Sequence, residues 1–231
     1  MNSPLRRDVW FWASALVLAL FALFLLYPLV NVLWASLSAA QDGRSGWLTL
    51  LSTDRYRDAV INTLMLGGIV TLTSTLVGVP LAFFTARYSF RGKALIALLP
   101  MTTLIVPEVI AAQTWLMVFG NNGVATRWLG EHGLQMPSFY GWFGLITVMT
   151  SIYFTYVYIG TVAAIRGFDR QLEEASQSLG VSPWRSLIQV MLPVVMPAVL
   201  ASAILVFTLV VGNFAVATIL GASVPLLSVL T

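Results

Sequence analysis

The chain has 231 residues, of which 58% are hydrophobic and only 9% are charged, whereas a soluble domain carries about 25% charged residues. This composition excludes an ordinary soluble domain and predicts a polytopic membrane protein. Because the chain has no cysteine and a single histidine, a disulfide framework, a thiolate zinc site and a histidine metal cluster are also excluded. The positive charges lie mainly in polar loops, which is typical of membrane topology and not of nucleic-acid binding.

Five apolar stretches are long enough to cross a bilayer, which takes roughly 20 residues in a helix. Backbone polar groups in hydrocarbon must pair within their own segment, so each stretch is predicted to be an α-helix. The predicted fold class is therefore all-α, with about five transmembrane helices. The predicted spans lie near residues 10–35, 61–84, 94–119, 142–165 and 194–220.

The first apolar stretch follows two basic residues, Arg6 and Arg7, and has small residues near Ser38. This arrangement also fits a cleaved signal peptide. The apolar run is about twice as long as the usual signal-peptide core of about 7–15 residues. We therefore predict an uncleaved span, with tryptophans near both ends as interfacial anchors.

Basic residues are distributed unevenly between the two sides of this topology. Eight of them fall on one side: Arg6, Arg7, Arg87, Arg91, Lys93, Arg166, Arg170 and Arg185. Four fall on the other side: Arg44, Arg55, Arg57 and Arg127. The positive-inside rule predicts that the N-terminus and the polar loop 166–193 lie in the cytoplasm.

Two domains are expected along the chain. Residues 1–57 are predicted to form the N-terminal transmembrane helix and an external segment, and residues 58–231 to form the main transmembrane domain. The outer loop 120–141 is rich in glycine and asparagine, with a short interfacial helix predicted at Val124–Leu129. Residues 225–231 resemble the start of a further element. We expect a chain truncated at its C-terminus, with a genuine five-helix protein as the alternative.

The polar loop 166–193 has the signals of a helix–turn–helix. Residues 171–179 are good helix formers, and Glu173 and Glu174 near the first turn complement the helix dipole. Gly180 readily adopts a left-handed conformation and is expected to end this helix. The loop is therefore predicted to present a first, polar helix on the cytoplasmic face.

A second helix is expected directly after the turn. Ser182 is a predicted N-cap, with Pro183 at the first helical position and a helix over 184–191. Pro193 and Pro197 are interpreted as the start of the fifth span.

At this point the loop resembles the signature loop of membrane permease subunits of type I ABC importers. That pattern is Glu-Ala-Ala, three residues, Gly, nine residues, Ile, one residue and Leu-Pro. Ser176 here replaces the second alanine, and Val190 replaces the isoleucine. The residues matched to ATPase coupling in that family are Glu174, Ala175, Ser176, Gly180, Leu192 and Pro193.

The resemblance covers residues 58–231 and is closest to the polyamine, ferric-iron and phosphonate importer permeases. It rests further on Asn62-Thr63-Leu64, Gly78-Val79-Pro80-Leu81-Ala82, Arg87, Arg91-Gly92-Lys93, Gly212-Asn213-Phe214 and Leu220-Gly221. Permeases of this family usually have a sixth span beyond the position at which this sequence ends.

The resemblance implies that the chain is a multi-pass subunit in the bacterial inner membrane that forms a translocation path for a small solute. The implied partners are an ABC ATPase at the coupling loop, a second permease as homo- or heterodimer, an external solute-binding protein and membrane lipid. No nucleic-acid partner is expected.

Glu108 is the only acid deep in a predicted span, directly after Pro107. Charge at this depth is costly and often marks a pathway or an ion pair. One hypothesis is that Glu108 lines the path and favours a cationic solute. The alternative places it near the outer interface, or hydrogen-bonded to a neighbour such as Gln113. Asn213 is a second candidate for the path, with an interhelical hydrogen bond as the alternative.

The sequence has no phosphate-binding loop, since Gly92-Lys93-Ala94 lacks the preceding glycine and the hydroxyl that a P-loop requires. We therefore expect no catalytic residue, cofactor or metal in this chain, with ATP bound and hydrolysed by a partner. Two alternatives are an ion-gradient-driven secondary transporter that uses Glu108, and a non-transporting fragment.

Overall fold

The structure is a computed structural model that describes residues 4–38, 40–41, 44–45, 52–222 and 224–230. It divides into two units, Met1–Arg57 and Asp58–Thr231. The predicted all-α class is confirmed, because the described elements are helices apart from one pair of two-residue strands. Among the described residues, four helices have the length and apolar composition of a membrane span, and a bent helix pair makes five when it is counted as one span.

The N-terminal unit contains helix α1, Pro4–Ser38, which is apolar over most of its length. Trp10 and Trp34 lie towards its two ends, as expected for interfacial anchors. Two short strands follow, β1 (Ala40–Gln41) and β2 (Arg44–Ser45), and pair antiparallel. The rest of the predicted external segment before residue 52 lies outside the described residues.

Helix α2, Asp54–Arg87, extends beyond the predicted span at both ends. Its first turns hold the last described segment of the chain. The Asn62 side-chain amide donates to the carbonyl of Pro225 at 3.2 Å, and the Leu227 N–H donates to the Thr63 hydroxyl at 3.0 Å. These two bonds tie the C-terminal segment to the start of α2.

The predicted span 94–119 is not a single helix. Two helices, α3 (Lys93–Ile105) and α4 (Glu108–Phe119), replace it, and the chain bends by 112° between them. Pro107 disfavours the helical conformation at the preceding residue, and Val106 accordingly has an extended backbone with φ −81° and ψ 121°. Both helices are apolar, as predicted, but the break at Pro107 turns the second helix away from the direction of the first.

Helix α5, Val124–Glu131, occupies the predicted interfacial segment. Helix α6, Trp142–Gly167, follows. It is the most buried of the long described helices, since half of its most apolar stretch is buried inside the protein. It contacts α2 through Thr150 and Thr73, α3 through Thr155 and Thr103, and α9 at Gly160.

The sequence predicted a separate second helix in the polar loop, but the structure has no separate helix there among its described residues. Helix α7 (Arg170–Ser178) is followed by α8 (Pro183–Ser186), a π turn (Leu187–Met191) and α9 (Leu192–Val211). The last three of these elements, α8, the π turn and α9, form one continuous helix from Pro183 to Val211.

The π turn explains why prolines do not separate the loop from the span. The Leu192 N–H donates to the Leu187 carbonyl five residues earlier. This wider turn accommodates Pro193, which has no backbone N–H to donate.

The fifth span also ends earlier than predicted. Helix α9 ends at Val211, the chain turns through Gly212–Phe214, and a short helix α10 follows over Ala215–Leu220. A single 3₁₀ turn at Leu227–Val229 closes the described part of the chain.

Small residues allow the long helices to approach closely. A Cβ atom on Gly78 of α2 would lie 2.8 Å from the Phe154 carbonyl oxygen of α6, and one on Gly160 of α6 would lie 2.1 Å from the Ser202 hydroxyl of α9. Gly67 of α2 has a similar role, since its Cβ would meet the Phe207 ring at 2.8 Å. Backbone-to-backbone packing of this kind is typical of helices in membranes.

Candidate functional site

Two sets of polar residues are candidates for function, one at the break between α3 and α4 and one on α7. The first contains Glu108, the opening residue of α4. Its carboxylate accepts a hydrogen bond from the Tyr153 hydroxyl at 2.8 Å and another from the Asn213 side-chain amide at 2.5 Å. The same amide lies 2.7 Å from the Tyr153 oxygen. The structure thus brings Glu108 and Asn213 together, with Tyr153 and not Gln113 as the further partner.

Asn213 is positioned by the turn between α9 and α10. Its own N–H donates to the Val210 carbonyl at 3.1 Å, and its side-chain oxygen accepts from the Val216 N–H at 2.8 Å. The side chain therefore caps the start of α10 while its amide faces Glu108. Asn213 and Tyr153 are buried, with 6% and 1% of their surface exposed.

This network joins three helices at the points where two of them are interrupted. The breaks at Pro107 and at Gly212 place a carboxylate and an amide beside the buried hydroxyl of α6. Because each carboxylate oxygen of Glu108 has a donor, the group does not carry an unsatisfied acceptor into the protein. Glu108 itself is only half-buried.

A cavity of about 350 Å³ lies along the same break. Its wall is mainly apolar with several hydroxyl groups, a composition that suits a small, partly polar solute. The residues that line it are Thr102, Thr103, Val106, Ala111, Thr114, Trp115, Ser151 and Ile152.

The second set of polar residues lies on α7 and the turn after it. Asp169 caps the start of α7 by accepting from the Gln171 N–H at 2.9 Å. Gly180 has φ +85°, the left-handed conformation predicted for it. The Val181 N–H donates to the Ser176 carbonyl and the Gly180 N–H to the Gln177 carbonyl, which is the Schellman pattern of helix ends.

The exposed face of this helix–turn–helix contains several side chains singled out from the sequence. Glu174 and Ala175 are exposed, and Ser176 is half-buried, with its hydroxyl 2.5 Å from that of Ser186 on α8. Leu192 is half-buried and Pro193 is exposed. Both belong to the continuous helix and not to the turn.

Large apolar side chains surround these residues. Leu172 is 49% exposed, Leu179 85% and Trp184 68%. Exposed apolar side chains of this size in a polar loop are candidates for contact with a partner.

The sequence did not indicate the ion pair between Arg87 and Glu173. Two parallel contacts of 2.5 Å join the guanidinium at the end of α2 to the carboxylate on α7. Glu173 is 8% exposed, and Gln177 donates to it at 3.3 Å. The only sequence signal was a basic residue at the end of a span and a second acid beside Glu174. A cavity of about 290 Å³ opens next to the pair.

Within the described part of the chain, no group of three or more histidine, aspartate or glutamate side chains is arranged to hold a metal ion. The chemistry of both candidate sites is therefore that of hydrogen bonds, charge and packing.

Comparison with known proteins identifies the family. A family model described as "Binding-protein-dependent transport system inner membrane component" matches residues 78–231, two-thirds of the chain. The probable ABC transporter permease protein y4fN of Sinorhizobium fredii is 31% identical over 96% of this chain. This chain spans only 40% of the length of that relative.

Two relatives from Escherichia coli cover about as much of this chain. The sulfate transport system permease protein CysW and the putrescine transport system permease protein PotI are each 26% identical to it. They match 96% and 94% of the chain, which in turn covers 74% and 76% of their lengths.

A solved structure has the same fold. The crystal structure of a bacterial alginate ABC transporter in complex with an alginate-bound periplasmic protein matches with a TM-score of 0.76 at 21% identity. The match covers 95% of this chain and 81% of that chain. This chain belongs to the family of binding-protein-dependent transport system inner membrane components, as the signature loop indicated, a family of transport permease subunits and not of enzymes.

Proposed function

We propose that this permease couples to a separate ABC ATPase through the exposed face of α7 and the α7–α8 turn. The observation that carries this proposal is that Glu174, Ala175, Leu179 and Trp184, which lie on either side of the Gly180 turn in the sequence, are all exposed. An acid among large apolar groups fits a partner groove that has a basic residue and an apolar wall.

The loop is built to transmit movement. The Asp169 cap and the Schellman turn fix both ends of α7, and α8 continues without interruption into the span α9. A force applied at the turn would therefore act directly on α9. Leu192 and Pro193 lie where the loop becomes the span and are proposed to set the angle of this connection.

We place this loop and the N-terminus in the cytoplasm of a bacterial cell, on the basis of the positive-inside rule. The external solute-binding protein would then contact the opposite face, and a second permease subunit would complete the path. The ATP-driven reading is favoured over the ion-gradient alternative by the family to which the chain belongs.

The ATPase contact is tested by copurification. Glu174→Arg should lower the amount of ATPase subunit retained on the tagged permease by about tenfold, because a reversed charge faces the partner's basic residue. The matched control is Glu131→Arg, an equal charge change on α5, which should retain the ATPase as the native chain does. Equal retention by Glu174→Arg and the native chain would refute the docking role.

For the solute, the Glu108 network favours a small cation of the polyamine class. The half-buried carboxylate of Glu108 lies at the helix break, and residues on both sides of this break, Val106 and Ala111, line a cavity with hydroxyl and apolar groups. The name of the relative PotI refers to putrescine and that of CysW to sulfate. Of these two solute types, a diamine matches the charge of Glu108 and an anion does not. The further solute classes suggested by the sequence resemblance include the cation ferric iron and the anionic phosphonates.

A further inference from the structure

The ion pair between Arg87 and Glu173 connects two elements that are separated by 86 residues in the sequence. We propose that it is a latch that fixes the coupling helix α7 to the end of span α2, so that movement of α7 is transmitted to α2 as well as to α9. This inference rests on the proposed function, in which α7 is the element that the ATPase moves.

The geometry of the pair is that of a rigid connection. The two terminal guanidinium nitrogens of Arg87 each donate to a different carboxylate oxygen of Glu173. Such bidentate pairs fix orientation as well as distance. Glu173 is buried, so water competes weakly for its charge. Removal of Arg87 would leave the buried charge of Glu173 without this compensation.

Arg87 is also in contact with other elements at this position. Its guanidinium lies 5.7 Å from the centre of the Phe83 ring on its own helix and 3.4 Å from the sulfur of Met191 in the π turn. The side chain therefore meets α2, α7 and the helix that leads into α9. A residue that touches all three is well placed to keep their relative positions fixed.

The two adjacent acids of α7 face in different directions. Glu173 is buried against Arg87, whereas Glu174 is exposed. A further side-chain hydrogen bond, between the hydroxyls of Ser176 and Ser186, joins α7 to α8. The assignment is therefore distinct for each acid: Glu174 contacts the partner, and Glu173 is a positioning residue that holds α7 to the membrane domain.

The chain has no cysteine, so spin labels can be introduced at chosen sites to measure the α2–α7 distance. We would label Phe84→Cys on α2 and Gln171→Cys on α7, both at exposed positions. The distance distribution is then measured by pulsed electron paramagnetic resonance on the reconstituted complex with its ATPase, with and without ATP. The latch predicts one narrow distance that ATP does not change.

Breaking the latch should change this distance. In Glu173→Gln, which keeps the side-chain volume, and in Arg87→Glu, the distribution should broaden and should shift when ATP is added. The charge-exchanged double variant Arg87→Glu/Glu173→Arg should restore the narrow, ATP-independent distance. Arg91→Glu, an equal charge change at an exposed residue nearby, should leave it as in the native chain.

The outcomes separate the latch from the docking role. If Glu173→Gln and Arg87→Glu keep the native distribution, the latch is wrong. It is also wrong if the double variant folds but stays as broad as the single variants. If the native permease retains no ATPase, the proposed function fails, while the nucleotide-free distances of the same variants still decide whether the ion pair fixes α7.

Discussion

The carboxylate of Glu108 accepts hydrogen bonds from Tyr153 on α6 and from Asn213 in the turn between α9 and α10, and these two bonds fix its orientation. Tyr153 and Asn213 orient it and provide one donor for each oxygen at a place where the helix is broken. This fixed orientation is the basis of the proposed role of Glu108 in contacting a cationic solute.

Removing this charge gives the prediction at the residue scale. In Glu108→Gln the side chain keeps its size, but the attraction for a cation is lost, and we expect putrescine uptake into proteoliposomes with the complete transport system to fall about tenfold or more. Gln113→Ala, at an exposed position of the same helix, should transport normally. Native uptake by Glu108→Gln at equal protein amounts would contradict a cationic path.

Individual residues were predictable from the sequence to a limited degree. Glu108 was conspicuous because an acid in an apolar stretch is rare, and Asn213 because it follows a glycine in a span. The sequence did not show that they meet, or that Tyr153 completes the set, because residues separated by 45 and 105 positions are joined only by the tertiary fold. The ion pair of Arg87 and Glu173 was not predictable for the same reason, because 86 positions separate the two residues.

The packing of α2 against α6 depends on the absence of a side chain at Gly78. We expect Gly78→Ala to destabilise the protein by about 1–3 kcal/mol, because the new Cβ would lie 2.8 Å from a backbone oxygen that belongs to α6 and cannot rotate away. The measurement is the midpoint of thermal unfolding in detergent. Gly68 lies on the same helix with nothing within 4 Å of a Cβ, and Gly68→Ala should be neutral or slightly stabilising. Equal midpoints for the two variants would show that the contact is not tight.

The apolar runs of the sequence predicted that helices exist at these positions, but they did not predict where each helix begins and ends. The break at Pro107 lies inside a continuous apolar stretch, and composition alone does not distinguish a kinked helix from two helices at a large angle. Conversely, Pro193 and Pro197 indicated a boundary, yet the helix runs through both: the π turn accommodates Pro193, and Pro197 lies inside the regular helix α9. In contrast, Gly180 was predictable, because its turn depends on local backbone conformation.

At the scale of the whole molecule, the two candidate sites are linked through the spans. Helix α7, the proposed coupling helix, is joined to α2 by the Arg87–Glu173 ion pair. After the Gly180 turn, α8 continues into α9, which ends at the turn that carries Asn213. Movement of the loop along α9 would displace this turn and with it a donor to Glu108. The fold therefore provides a physical connection between the proposed ATPase contact and the proposed solute contact.

This connection requires the α7–α8 turn and the α4–α5 turn to lie on opposite sides of the membrane, which labelling of single cysteines tests. Ser182→Cys and Asn121→Cys each introduce the only thiol of the chain at an exposed position. We expect a membrane-impermeant maleimide to label Asn121→Cys in intact spheroplasts. Ser182→Cys should react only in inside-out vesicles, because the positive-inside rule places its loop in the cytoplasm. Labelling after detergent treatment serves as the control that both thiols are reactive. If Ser182→Cys reacts in intact spheroplasts, the coupling face is on the outside and has no access to a cytoplasmic ATPase.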